Sequence, residues 1–265
     1  MGNKCKICKS EKVSFFATIK GYDLMKCLEC GFIYIPSIGQ KDIENFYEKD
    51  YFDGKLARFS AGLLDQVLPQ EKTWIINMYL SSPSYRNILE IGPGTTGGMV
   101  KYYFNQPNRY IECVEISKFA SDYLNKHGIS TFNGLIQNFK PKKRFDLIIA
   151  TEVIEHDLNP CGFVNSVYRL LNDNGLFFLS TGNTSSFMAK YSGMKWYYYD
   201  PPAHISYFNN KNIKLLLLKN GFSKVEIINV GFKWIKLLSK YKISTVISLI
   251  GKLNLATGML VFAKK

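Results

Sequence analysis

The run Asn87-Ile88-Leu89-Glu90-Ile91-Gly92-Pro93-Gly94-Thr95-Thr96-Gly97-Gly98 constrains the fold of this chain more than any other stretch. Ile88–Ile91 reads as a buried strand, and glycines at 92, 94 and 97 follow it before a helical pattern begins. A G-x-G-x-x-G turn between strand and helix lets backbone approach a bound ligand closely, and it opens a βα unit. Beyond it, apolar strands at Tyr110–Glu115, Ile129–Asn133, Phe145–Ala150 and Leu176–Ser180 alternate with helix-like segments near 97–105, 117–126 and 161–172. That rhythm predicts an α/β fold with a doubly wound, Rossmann-like sheet. A helix at Asn212–Asn220, stopped by Gly221, and strands at Val225–Val230 and Met259–Ala263 follow.

Four of the six cysteines fall as Cys5-x2-Cys8 and Cys27-x2-Cys30. Two such knuckles close a tetrahedral thiolate site, so this spacing predicts a structural zinc ribbon held by Cys5, Cys8, Cys27 and Cys30. Two disulfides are the alternative, which a reducing compartment disfavours. Cys113 and Cys161 lie in apolar surroundings and read as core. The expected organisation is a ribbon over 1–40, a helical linker or lid over 41–84, and an α/β domain over 85–265.

The balance of 34 Lys+Arg against 21 Asp+Glu gives a net charge of +13, and Lys211 to Lys265 holds eleven lysines against the single acid Glu226. Such an excess suits a solvated lysine surface or an anionic partner. The apolar stretch Ile243–Gly251 is too short to span a bilayer, so a cytoplasmic protein is expected. Lys233–Lys242 is basic and amphipathic; it reads as an insertion covering a sheet edge or pocket mouth, with peripheral membrane contact as the alternative.

Glu90, two residues before the first glycine, would repel a pyrophosphate and suits a cofactor carrying an ammonium and a sulfonium. With Leu89–Thr95, Val114-Glu115, Phe145–His156, Leu171–Phe177 and Leu217–Phe222, the chain resembles the class I S-adenosylmethionine-dependent methyltransferases. The resemblance implies a mixed seven-stranded sheet and S-adenosylmethionine as cofactor. It puts Glu90, Gly92, Pro93 and Gly94 around the methionine part, Glu115 on the ribose, and Ile136 and Gln137 along the adenine. An Asp is common in the family where this chain has Leu135. Thr151 and Glu152 fall at the carboxyl edge, where open sheets bind ligands. Together with the ribbon, the chain resembles methyltransferases of sugar and surface-polysaccharide pathways.

Methyl transfer requires an aligned nucleophile that loses a proton. Of three histidines, His127 reads as a helix cap, whereas His156 belongs to Glu152-x-x-Glu155-His156 and His204 to a loop after the fifth strand. In a helical turn Glu152, Glu155 and His156 would share one face. Two mechanisms fit: His204 or His156 as general base, or a second divalent metal held by Glu152, Glu155, His156 and His204. Tyr47, Tyr51, Tyr198 and Tyr199 are candidate lid residues contacting the substrate.

The leading expectation is O-methylation of a small polar acceptor: a sugar, nucleotide-sugar or phosphate-bearing precursor. The alternatives are an RNA 2′-O-methyltransferase, sugar C- or N-methylation, and a non-catalytic module whose ribbon recruits a partner. Nucleic acid is the less favoured partner, since no arginine-rich tract accompanies the charge.

Overall fold

Apolar side chains at alternate positions of the central strands go to opposite faces, as the period of a strand requires. Leu89, Ile91, Ile148, Ala150, Phe177 and Leu179 join one core layer, while Ile88, Leu147, Ile149 and Phe178 join the other. Both faces are covered, which is why these strands read as nearly continuous apolar runs. The computed structural model describes residues 4–38, 68, 70–104, 106–231 and 257–265.

The strands in chain order are β1 (Val13–Ile19), β2 (Tyr22–Cys27), β3 (Ile33–Tyr34), β4 (Asn87–Ile91), β5 (Tyr110–Glu115), β6 (Thr131–Asn133), β7 (Phe145–Thr151), β8 (Leu171–Gly182), β9 (Ser206–Tyr207), β10 (Lys224–Val230) and β11 (Gly258–Lys264). Seven form one sheet in the order β10-β11-β8-β7-β4-β5-β6. The pairs from β8 to β6 are parallel, and β11 runs antiparallel to both β8 and β10. This is the mixed, doubly wound Rossmann-like sheet that the sequence predicts. The reversal of order at β4 opens a crevice at the carboxyl edge, the usual ligand position in such sheets.

Local boundaries differ from expectation in three places. The helix expected near 97–105 is confined to Lys101–Phe104, because Gly97 and Gly98 hold left-handed backbone ahead of it. Helix Pro160–Leu170 runs directly into β8, which starts at Leu171 and is longer than expected. In the expected helical linker, Gln70–Ile75 is α-helical and Ile76–Leu80 is π-helical, with Ile76 and Leu80 buried against the sheet.

The smaller sheet joins segments that the sequence assigns to separate units. β1, β2 and β3 form an antiparallel meander, and β9 adds a fourth strand beside β3, pairing Tyr207 with Ile33 and Ser206 with Tyr34. The cysteine-bearing segment is thus stitched to the chain immediately after His204. Among the described residues, no helix is long and apolar enough to cross a membrane.

Candidate functional site

A cleft of about 370 Å³ opens at the carboxyl edge, over β4, β5 and β7. Ile91, Gly92 and Gly94 form its floor, Glu115 and Ile116 one side, Gly134 to Gln137 another, and Glu152, Val153 and His156 the far wall. Glu115 is buried, and its carboxylate accepts hydrogen bonds from Gly94 N–H (3.0 Å) and Ser117 N–H (2.9 Å). Burial nevertheless raises its pKa. Gly92 has φ +67°, and a Cβ there would meet Val153 Cγ2 at 2.7 Å, so only glycine lets the cleft wall approach. Gln137 donates from Nε2 to Asp157 Oδ2 (3.1 Å), while its buried Oε1 has no protein partner among the described residues.

Three expected cofactor residues lie off this cleft. Glu90 is fully buried and receives Met99 N–H (2.9 Å) and Val100 N–H (2.7 Å), so it fastens the loop after the glycines from beneath. Burial pushes its carboxyl up to about 7, against the pull of Lys72 and the two amides. Strand parity is the reason: Glu90 shares the face of Ile88, opposite the cleft-facing Ile91. Thr151 falls off the lining by the same alternation in β7, and Pro93 is turned into the core. Gly92, Gly94, Glu115, Ile136 and Gln137 do line the cleft.

Beside the cleft lies a cluster of acids and imidazoles. Tyr198 Oη sits between the two glutamates, 2.5 Å from Glu155 Oε1 and 3.2 Å from Glu152 Oε2. Thr181 Oγ1 donates to Glu155 Oε2 (2.9 Å) and Ser180 Oγ to Glu152 Oε1 (2.8 Å). Burial and the neighbouring Glu155 push Glu152 up to about 8; burial raises Glu155 and Tyr198 as well. His156 and His204 lie edge to face, with ring centroids 4.9 Å apart. Their Nδ1 atoms face the carbonyl oxygens of Ala203 (2.5 Å) and Tyr198 (2.7 Å), which fixes the Nδ1–H tautomer and makes each Nε2 the acceptor nitrogen. Burial, with repulsion from His204, lowers His156 to about 3, and burial lowers His204 too, so both rings are neutral at pH 7.

The Glu152–His156 run is not the helix face expected of it. Glu152 has φ +54° and only Ile154–His156 turns, as a 3-10 helix. One ligand atom each from Glu155, His156 and His204 lies within 4.8 Å of the others; Glu152 is outside that set.

Comparisons with known proteins agree with this geometry. A family model described as a methyltransferase domain matches residues 52–227. The chain belongs to the methyltransferase-domain family. It is an S-adenosylmethionine-dependent methyltransferase. Phosphoethanolamine N-methyltransferase 2 of Haemonchus contortus, solved with S-adenosyl-L-methionine, is similar at TM-score 0.60 and 16% identity, covering 96% of this chain and 69% of its own. The plantazolicin methyltransferase BamL, in complex with a triazolic desmethylPZN analog and SAH, gives 0.59 and 15%, covering 84% and 94%. A Thermotoga maritima SAM-dependent methyltransferase, possible histamine N-methyltransferase, gives 0.56 and 17%, covering 84% and 99%. No curated protein matches the chain.

In this methyltransferase, Tyr198 and Tyr199 are only 4% and 8% exposed, so neither is an open lid residue. Tyr199 packs its ring on Phe16 and Tyr207, against the smaller sheet. Tyr47, Tyr51 and the Lys233–Lys242 segment lie outside the described residues. His127 caps the helix Lys118–Lys126, its Nδ1 2.7 Å from Tyr123 O.

The four ribbon cysteines converge. Their Sγ atoms all lie within 4.8 Å of one another, with Cys5 to Cys30 at 3.6 Å and Cys8 to Cys27 at 3.4 Å. Tetrahedral Zn–S bonds of about 2.3 Å require sulfurs roughly 3.8 Å apart, so the four fit the metal. Cys161 is more than core: its thiol donates to Lys6 O, while Lys6 Nζ reaches Leu158 O in the cleft wall. Sequence reasoning missed Val153, Asp157, Leu158, Asn159 and Phe163 as cleft residues; of these, only the Asn159-Pro160 helix start carried a signal.

Proposed function

We propose that this methyltransferase methylates a hydroxyl of a small polar acceptor, such as a sugar, nucleotide-sugar or phosphate-bearing precursor, with His204 as general base. The observation that carries the reading is His204 Nδ1 2.7 Å from the Tyr198 carbonyl, which leaves Nε2 as the acceptor nitrogen beside a cofactor-sized cleft. When bound, S-adenosylmethionine supplies a methyl carbon on a positively charged sulfur. Glu115 offers its carboxylate to a ribose diol, and the orphaned Gln137 Oε1 offers an acceptor to an amino group. His204 Nε2 would take the proton of an acceptor hydroxyl, while the methyl carbon that the bound cofactor supplies would leave its sulfur as a neutral thioether. The Tyr198 hydroxyl, tied to both glutamates, holds the loop that supplies the carbonyl fixing His204.

We also read Cys5, Cys8, Cys27 and Cys30 as a structural zinc site, since four thiolates leave no coordination position for a substrate. A second reading of the cluster, a divalent cation on Glu155, His156 and His204, draws support from their mutual proximity. Against it, only three ligand atoms converge there among the described residues, with Glu152 outside the set.

Titration calorimetry with S-adenosylmethionine, with and without manganese, followed by product analysis on hydroxyl and amine acceptors, tests the reading. His204→Gln is expected to lower kcat by about 10²–10³-fold while cofactor affinity stays unchanged. Strict dependence on manganese for methyl transfer would move His204 from base to metal ligand, and methylated amines alone would overturn the hydroxyl acceptor.

A further inference from the structure

The chain segment that turns Tyr198 inward turns a row of its neighbours outward. Helix Phe187–Ser192 follows the end of β8, and Ser186 caps it by accepting Ala189 N–H at 3.1 Å. Ala189 faces the core, while Phe187, Lys190 and Tyr191 share one face by i, i+3, i+4 spacing, and Met194 follows in the turn after Gly193, where the helix has ended. Phe187 is 52% exposed, Tyr191 79%, Met194 48% and Tyr197 65%. Phe187 and Tyr191 stack on each other with centroids 6.0 Å apart, forming an outward aromatic pair. Large apolar side chains clustered this densely on a surface mark a contact site.

Charge decides what kind of contact. Lys190 and Lys195 are exposed within the patch, and no Asp or Glu occurs from 183 to 199. The first acid beyond, Asp200, is already ion-paired with Lys20. A second copy of the same face would set these lysines against one another with no acid of this segment to offset them, and a basic protein partner would be repelled. Exposed aromatic rings interleaved with lysine match instead the interface of a bilayer, where rings sit at headgroup depth and lysine meets anionic lipid.

We propose that the surface formed by residues 187–197 docks on an anionic lipid bilayer. The interaction is peripheral: apolar side chains enter the headgroup layer while Lys190 and Lys195 contact lipid phosphates. Such docking is independent of the identity of the methyl acceptor.

Vesicle flotation of the full chain tests it, using phosphatidylcholine alone and phosphatidylcholine with about 30% phosphatidylglycerol. The native protein is expected to float with the anionic vesicles, to bind neutral ones weakly, and to be released by salt. Lys190→Gln with Lys195→Gln is expected to weaken partitioning about thirtyfold, at roughly fivefold per lysine. Phe187→Ser with Tyr191→Ser and Met194→Ser is expected to abolish flotation while S-adenosylmethionine binding, measured in parallel, is retained. No flotation of the native protein, or undiminished flotation of both variants, would overturn the proposal. So would a dimer, measured by light scattering, that the serine variant converts to monomer.

Discussion

Gly98 accepts no side chain. Its φ is +51°, and a Cβ built on it would fall inside the Glu90 carboxylate, which is itself fully buried. Gly98→Ala is therefore expected to cost about 2–4 kcal/mol, from left-handed strain plus loss of the Glu90 bonds to Met99 and Val100. Gly94→Ala is the matched comparison: its φ is +59°, but no atom lies within 4 Å of the added Cβ. It is expected to cost only about 1 kcal/mol. Denaturant midpoints check the difference. Glu152 carries a second residue-level prediction. Burial pushes its pKa in the folded protein up to about 8 from the ordinary 4.5, so the unfolded state releases its proton first. The stability it contributes is full below the lower value and is lost as pH rises through the upper one. From pH 6.5 to 8 its share of the slope is at most about 1.4 kcal/mol per pH unit, and Glu152→Gln is expected to flatten it in thermal melts. His156, lowered from 6.5 to about 3, acts in the opposite sense, its contribution to the slope fading as pH rises through 6.5.

At the scale of elements, the four-cysteine segment and the loop bearing His204 are joined by backbone hydrogen bonds. β3 pairs with β9, Ile35 N–H donates to Ile205 O, and Ile205 N–H donates to Glu155 O, so the thread runs from the cysteines to the glutamate cluster. Asn209 Nδ2 reaches Cys30 O (3.3 Å), while Asn209 and Asn212 form the capping box of helix Asn210–Lys219. If the four cysteines hold zinc as proposed, removing it with a chelator should let the β3–β9 edge loosen and shift His204 by the order of 1 Å. A displacement of that size costs roughly a hundredfold in methyl transfer. The expected result is loss of turnover with far-ultraviolet dichroism largely retained, and recovery when zinc is returned. Cys8→Ser should reproduce the loss without recovery.

For the molecule as a whole, the net charge of +13 predicts how acceptors arrive. If the acceptor bears phosphate, kcat/KM should fall with rising ionic strength as steering is screened, while that for an uncharged analogue stays flat. Turnover of both across a salt series checks this. The sequence by itself determined the doubly wound α/β core, because strand runs, glycine spacing and alternating helical patterns are local signals that favour one topology, whereas the mixed seven-stranded order was carried by the family resemblance. It also set the four-cysteine spacing, and it singled out His156 by its place in Glu152-x-x-Glu155-His156 and His204 by its loop after the fifth strand. Only the tertiary structure decided which side chains face the cleft. Parity at the strand ends sent Glu90 and Thr151 away from it, and the positive φ of Glu152 replaced an expected helix face by a turn. The union of β9 with the ribbon, and the Tyr198 hydroxyl between two glutamates, join positions more than forty residues apart. Local sequence patterns do not encode such pairings; they arise where separately formed elements pack and satisfy one another's buried polar groups.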